Sequence, residues 1–278
     1  MDRRSGNIDR RSPEASSCRA LVLLALVVPL LLALPSAAEA QFHVTQPDVV
    51  KGEATVGDHA AAYDGPGTDE KLDQAHEIEA TYAFTERLEL VGKGIFQQPI
   101  GGALEAKNYQ IGPQYEIIER HGEGLGLAVR ALYEFAAEDD QPDEIVFGPI
   151  ARLVIGKNSG TLNTFFLEQV GEDADRDSVE LKINWQLRRE FTKHFGFGVE
   201  GYGDIKDLAH AGTFNDQLHR VGPVLYLDLR GLDRKEVLVR GDAEEGIKPS
   251  LRLAAGALFG LSEATSDVTF KLDLWATF

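Results

Sequence analysis

Seven histidines have the widest chemical reach of any side chains in this sequence: His43, His59, His76, His121, His194, His210 and His219. A hydrolytic nucleophile needs a base beside it and a third group to orient that base. None of the seven is followed at short spacing by a serine, and His121 and His194 fall in predicted turns, where an imidazole is ordinarily a surface group. The chain therefore reads as no enzyme, and no catalytic residue is assigned. For metals, Asp173, Asp175 and Asp177 have the alternate spacing of a calcium loop. The glycine and the closing glutamate of an EF-hand are missing. That run, Glu138-Asp139-Asp140, Glu172 and the group Asp242, Glu244, Glu245 read as solvated loop charge, with cation attraction at a mouth as the other reading. No cofactor or metal is expected.

A second polar set has a rhythm: charged residues recur at every other position against apolar ones. In 178–190, Val179, Leu181, Ile183, Trp185 and Leu187 alternate with Glu180, Lys182, Asn184, Gln186 and Arg188. In 125–136, Leu125, Leu127, Val129, Ala131, Tyr133 and Phe135 oppose Arg130 and Glu134. From the C-terminus backward, Phe278, Ala276, Leu274, Leu272, Phe270 and Val268 oppose Thr277, Trp275, Asp273, Lys271, Thr269 and Asp267. A period of two is the strand pattern, because successive side chains point to opposite faces. These runs are about twice the usual five or six residues of a soluble strand, the length a tilted strand needs to cross a bilayer.

Twelve such segments are expected: 49–62, 74–84, 87–97, 107–119, 125–137, 144–156, 160–170, 178–190, 194–206, 217–230, 249–261 and 267–278, with 235–240 as an extension or extra strand. Strands in lipid must close on themselves to pair every backbone group. The fold expected is all-β, a transmembrane antiparallel up-and-down barrel of about 12 strands. Thr85-Glu86, Gly156-Lys157-Asn158 and Thr192-Lys193 make tight turns; 65–73, 97–106, 138–143, 171–177 and 207–216 make longer loops. The pattern breaks near the end, where parity puts the long 231–248 connection among the short turns and the short Ser262–Ser266 turn among the long loops. Ile111-Gly112-Pro113, Phe147-Gly148-Pro149 and Val221-Gly222-Pro223 repeat at matched strand positions and predict bulges or a bend.

Ahead of the strands, a polar stretch with Arg3, Arg4, Arg10, Arg11 and Arg19 leads into an apolar run, Ala20 to Leu34, and then Pro35, Ser36 and Ala38-Glu39-Ala40. Basic head, short apolar run and small-x-small triplet make a secretory signal peptide. Residues 1–40 are expected to be removed before Gln41, leaving 41–278 as the barrel. The single cysteine, Cys18, leaves with the signal, which excludes disulfides and thiolate ligands. Of the whole chain's net charge of −17, residues 41–278 carry 23 basic against 41 acidic groups. So acidic a surface excludes nucleic acid as a partner. The partners expected are outer-membrane lipid and lipopolysaccharide, the outer-membrane assembly machinery, and a small-molecule solute.

The inward face is then the candidate site: Arg130, Glu134, Arg152, Glu180, Lys182, Arg188, Glu200, Asp204, Arg220, Arg252, Lys271 and Asp273, with Glu77, Glu79, Lys93, Gln114, Glu116 and Asp228. Isolated charges are costly in a dry lumen, so they either pair across strands or meet water. Eight-stranded barrels are filled by side chains and sixteen-stranded ones hold water; twelve lies between. Glycines on the same face (Gly112, Gly126, Gly148, Gly196, Gly198, Gly222, Gly256, Gly260) leave room. Two function classes stay open. One is a narrow passive channel or uptake barrel for small solutes; the other is a structural or interaction barrel filled with salt bridges. An acyl hydrolase of membrane lipid is the remote third.

From about Gln74 to Phe278 the chain resembles proteobacterial outer-membrane barrels of uncertain role, and more distantly the MetA-like barrels of phenol degradation pathways. Tyr82-Ala83-Phe84-Thr85-Glu86-Arg87-Leu88, Thr161-Leu162-Asn163-Thr164-Phe165-Phe166, Gly198-Val199-Glu200-Gly201-Tyr202-Gly203, Phe214-Asn215-Asp216-Gln217 with His219–Pro223, and Leu258–Phe278 carry the resemblance. These are strand and turn motifs, so the resemblance implies location and fold, with a hint of small-molecule uptake and no active site.

Overall fold

The computed structural model describes residues 42–64, 72–138, 141–171, 174–175, 177–230 and 249–278. The expected signal peptide, the acidic residues 139–140, 172–173 and 242–245, and the segment 235–240 lie outside them. The strands are β1 (Ala54–Asp64), β2 (Leu72–Ala83), β3 (Leu88–Pro99), β4 (Glu105–Ile118), β5 (Gly124–Ala136), β6 (Asp143–Ile155), β7 (Asn158–Val170), β8 (Val179–Glu190), β9 (Phe195–Ile205), β10 (Leu218–Arg230), β11 (Ser250–Gly260) and β12 (Val268–Thr277). Each pairs antiparallel with its sequence neighbours, and β1 pairs with β12, so the sheet closes as a barrel. Closure leaves no unpaired edge. At the seam Thr55 faces Thr277, their hydroxyls 3.3 Å apart.

The alternation sorts the faces as expected. Leu125, Phe135, Leu162, Leu187, Leu225 and Phe259 project outward and are more than 40% exposed. Their neighbours at every second position point inward and are largely buried. The inner face is less uniformly polar than the sequence implied. Val91, Leu132, Val146 and Leu167, from four strands, form an apolar cluster inside the barrel with Phe165 against it.

Turn chemistry explains the short end. Phe84 to Leu88 and Phe191 to Phe195 are the same device. The first residue's N–H donates to the last residue's carbonyl at 3.0 Å, and the threonine hydroxyl accepts from two amides ahead of it. Such hydroxyl-to-backbone bonds favour turns over continued strand. Gly156, with φ +57°, turns β6 into β7. The Leu261–Asp267 connection sits at the opposite end, among the long loops, as parity requires.

Two expectations need correction. The Gly-Pro repeats make no bulge. Ladder pairing lapses at Gly112-Pro113, Gly148-Pro149 and Gly222-Pro223, always toward the following strand, and resumes in the same register. Proline has no N–H to give the ladder, and the glycine lets the next backbone press close. A Cβ on Gly148 would stand 1.8 Å from the Thr164 carbonyl oxygen, and one on Gly222 would stand 1.9 Å from that of Ala257. Register shifts occur instead at Leu72/Gln74, Ile95/Phe96 and Glu116/Ile118. The second correction concerns the first strand, which begins at Ala54 rather than 49, because the residues before it go elsewhere.

Candidate functional site: an occupied lumen

Residues 42–49 turn back inside the barrel. The chain reverses at Lys51-Gly52, where Gly52 takes φ +80°, a conformation in which a Cβ is strained. From there the segment runs up the axis as a strap without ladder bonds of its own. The wall's side chains replace the missing ladder. Asn163 donates from Nδ2 to the Thr45 carbonyl (3.0 Å) and accepts from the Thr45 amide (2.8 Å). Gln114 donates to the Gln46 carbonyl, Asn184 to the His43 carbonyl, and the Val49 amide donates to Glu116. Asp48 joins Arg120 (2.9 Å) and Arg152 (3.2 Å) at the short-turn end. Phe42 lies toward the long-loop end, in edge contact with Tyr202 and Tyr63 and beneath the Arg220 guanidinium. A fully buried backbone with no such partners would cost about 1–3 kcal/mol per orphaned group, so these amides and carboxamides are what let polar chain sit in the lumen.

The expected lumen residues meet in separate groups. Lys271 holds Glu200 (2.5 Å) and Asp273 (2.8 Å), and its Nζ also donates to the Phe42 carbonyl (2.6 Å). Around Glu200 gather Gln186 and the hydroxyls of Tyr202 and Tyr226. Arg130 reaches Glu79 (3.1 Å) and Gln114, while Lys93 bridges Glu77 (2.8 Å) and Glu79 (3.3 Å). Glu134 accepts from the carboxamides of Asn108 and Gln110. Near the rim, Glu180 pairs with Lys182, and Lys206 with Glu180 and Asp204. Arg188 pairs with Glu190 and lies over the Tyr226 ring, and Arg220 donates to Thr269. Arg252 lies 3.4 Å from the Thr277 hydroxyl. Opposite charges thus meet both across strands and at every second position along one, which offsets part of the cost of burying them.

Above the strap a cavity of about 210 Å³ opens, lined by Phe42, Glu134, Glu180, Lys182, Asp204 and Arg220 among others. Its wall mixes both charge signs and has room for a small polar molecule. At the rim itself, His210 Nδ1 lies 2.8 Å from Asp207, and this hydrogen bond holds the Asp207 carboxyl below the ordinary carboxylate range.

Sequence order did not disclose the strap or what it brings together. His43 stacks on His59, ring centroids 4.0 Å apart and planes 6° apart, with Trp275 against both. Elsewhere histidine rings meet a carboxylate, a carbonyl or a carboxamide: His76 with Asp58, His194 with the Asp228 carbonyl, His219 with Gln217. The hint in sequence was Lys51-Gly52, a turn pair near the start of the expected strand 49–62.

No family model matches the chain. Among curated proteins it is 26% identical over 140 residues to the GTPase Der of Rhodopseudomonas palustris, a match covering 43% of this chain and 30% of that protein. The chain contains no Gly-x-x-x-x-Gly-Lys-Ser/Thr run, and among the described residues no strand leads into an α-helix that could hold a nucleotide phosphate. Among solved structures, Acinetobacter baumannii Omp33, an outer-membrane protein, aligns with a TM-score of 0.41 at 10% identity, over 82% of this chain and 98% of its own. Pseudomonas aeruginosa OccK7 (OpdD) aligns with 0.38 at 10% identity over 88% and 72%. The P. aeruginosa outer-membrane protein OprD aligns with 0.37 at 12% over 82% and 66%, so the chain spans about two thirds of its length.

Proposed function

We propose that this chain is an outer-membrane barrel that passes small solutes, and that its own strap closes the passage until displaced. The supporting observation is how the axis is filled. The wall leaves an axial gap, and a separate segment, joined to β1 only through Gly52, occupies it by hydrogen bonds and the Asp48 ion pairs. Seven steps of extended chain span about 23 Å, most of a bilayer core. Withdrawn, the strap would leave behind carboxamides and paired charges, the lining of a polar pore rather than of an apolar one.

The outward apolar face, the short turns at one end and the long loops at the other support an outer-membrane setting. There the barrel would meet lipid and lipopolysaccharide and depend on the assembly machinery. Uptake accords with the motifs that resemble MetA-like barrels. Planar-bilayer recording tests the proposal. The intact protein is expected to show rare or small steps, and deletion of residues 42–50 to raise conductance severalfold. A second reading, a structural barrel sealed by its charge pairs, has the Glu200–Lys271–Asp273 cluster in its favour. A folded deletion variant that remains silent would establish it in place of the channel.

A further inference from the structure

We propose that His43, His59 and Glu77 form a transition-metal site that fastens the strap to the barrel wall. The inference rests on the strap occupying the lumen. His43 comes from the strap, His59 from β1 and Glu77 from β2, where the β1–β2 register sets it directly opposite His59. One ligand atom from each lies within 4.8 Å of the other two. Two imidazoles and a carboxylate suit Zn²⁺ or a similar borderline cation far better than Ca²⁺ or Mg²⁺, which take oxygen ligands.

A second observation points the same way. The His59 side chain is only 1% exposed, yet neither of its ring nitrogens has a hydrogen-bond partner. Buried polar atoms without partners are rare and ask for a missing species. Beside it, Asp273 Oδ1 is likewise buried and unbonded, 3.4 Å from His59 Nδ1. Drawn a little closer, that carboxylate would orient the imidazole through Nδ1 and leave Nε2 for the ion, as carboxylates beside metal-binding histidines do.

The site needs small movements. Ligand atoms around one Zn²⁺ stand about 3.3 Å apart, given bonds of about 2.0 Å, so the three must draw in by up to about 1.5 Å. The stacked rings hold their lone pairs parallel, and His43, on the strap, must turn to share the ion. Glu77 is held by Lys93, but Lys93 also contacts Glu79 and retains a carboxylate when Glu77 turns to the metal.

The test uses the protein purified from membranes in detergent, titrated with Zn²⁺ by calorimetry. One ion per chain is expected, with the dissociation constant raised at least tenfold by His43→Ala or His59→Ala and unchanged by His121→Ala, an exposed turn residue. The β-sheet circular dichroism of each variant reports its folding, and His59→Gln replaces His59→Ala if the latter fails to fold. No saturable binding, or undiminished binding in either folded histidine variant, overturns the site. Val44→Cys in a Cys18→Ser background reports the strap separately, because Val44 is 4% exposed. Protection from a maleimide without zinc binding sinks the metal site and leaves the strap in place; rapid labelling sinks both.

Discussion

Lys271 shows what a single side chain does in this lumen. Its ammonium neutralises Glu200 and Asp273 and caps the Phe42 carbonyl, with no exposure of its own. Replacing it with methionine keeps the volume and strands two carboxylates in a dry site. Breaking a buried pair from one side costs about 3–5 kcal/mol. Lys271→Met is therefore expected to lower the urea midpoint of the purified barrel, followed by tryptophan fluorescence. Adding Glu200→Gln should recover part of the loss, since the two effects are coupled. Charge and alternation in the sequence placed Lys271 and Asp273 on the inner face. Which acid each base would meet depends on strand stagger and on a strap whose position no local pattern records. His43 and His59 lie sixteen positions apart and touch only because the chain reverses at Gly52.

Elements were legible wherever the two-residue rhythm ran long enough. Eleven of the twelve strands begin and end within two residues of the expected bounds. The exception is instructive: rhythm runs 49–62 together as one strand, whereas the chain reverses at Lys51-Gly52 and the residues before it leave the wall. Alternation reports an extended chain with two unlike faces and says nothing of whether its neighbour is a ladder or a ring of carboxamides. The Gly-Pro repeats were visible, but of the bulge or bend expected there the bulge is absent, because a proline that interrupts pairing and one that adds a residue look alike in sequence. Their role is now specific. Gly148→Val should cut the yield of folded barrel several-fold, since its Cβ meets the Thr164 carbonyl oxygen at 1.8 Å. Pro149→Ala, on the outward face at a position already unpaired toward β7, should leave that yield near normal. Refolding yields measured side by side decide the matter.

At the scale of the whole molecule, the apolar exterior should govern behaviour. Association through buried hydrocarbon surface resists salt, whereas association through charge is screened within about 10 Å at 0.1 M. The protein should therefore sediment with outer-membrane fragments and stay there through a high-salt wash, and fractionation with an immunoblot is the check. Recovery in the salt supernatant would contradict the membrane placement. The seam carries a further consequence. Thr55 and Thr277 lie 222 positions apart, so the hoop is clasped by its most distant parts, and such remote pairings form slowly. A polypeptide cut short before β12 would leave β1 and β11 each with one edge of raw backbone, and hydrocarbon offers it no solvent. Maturation of this protein is in that sense all-or-nothing: without its final staves the hoop cannot shut.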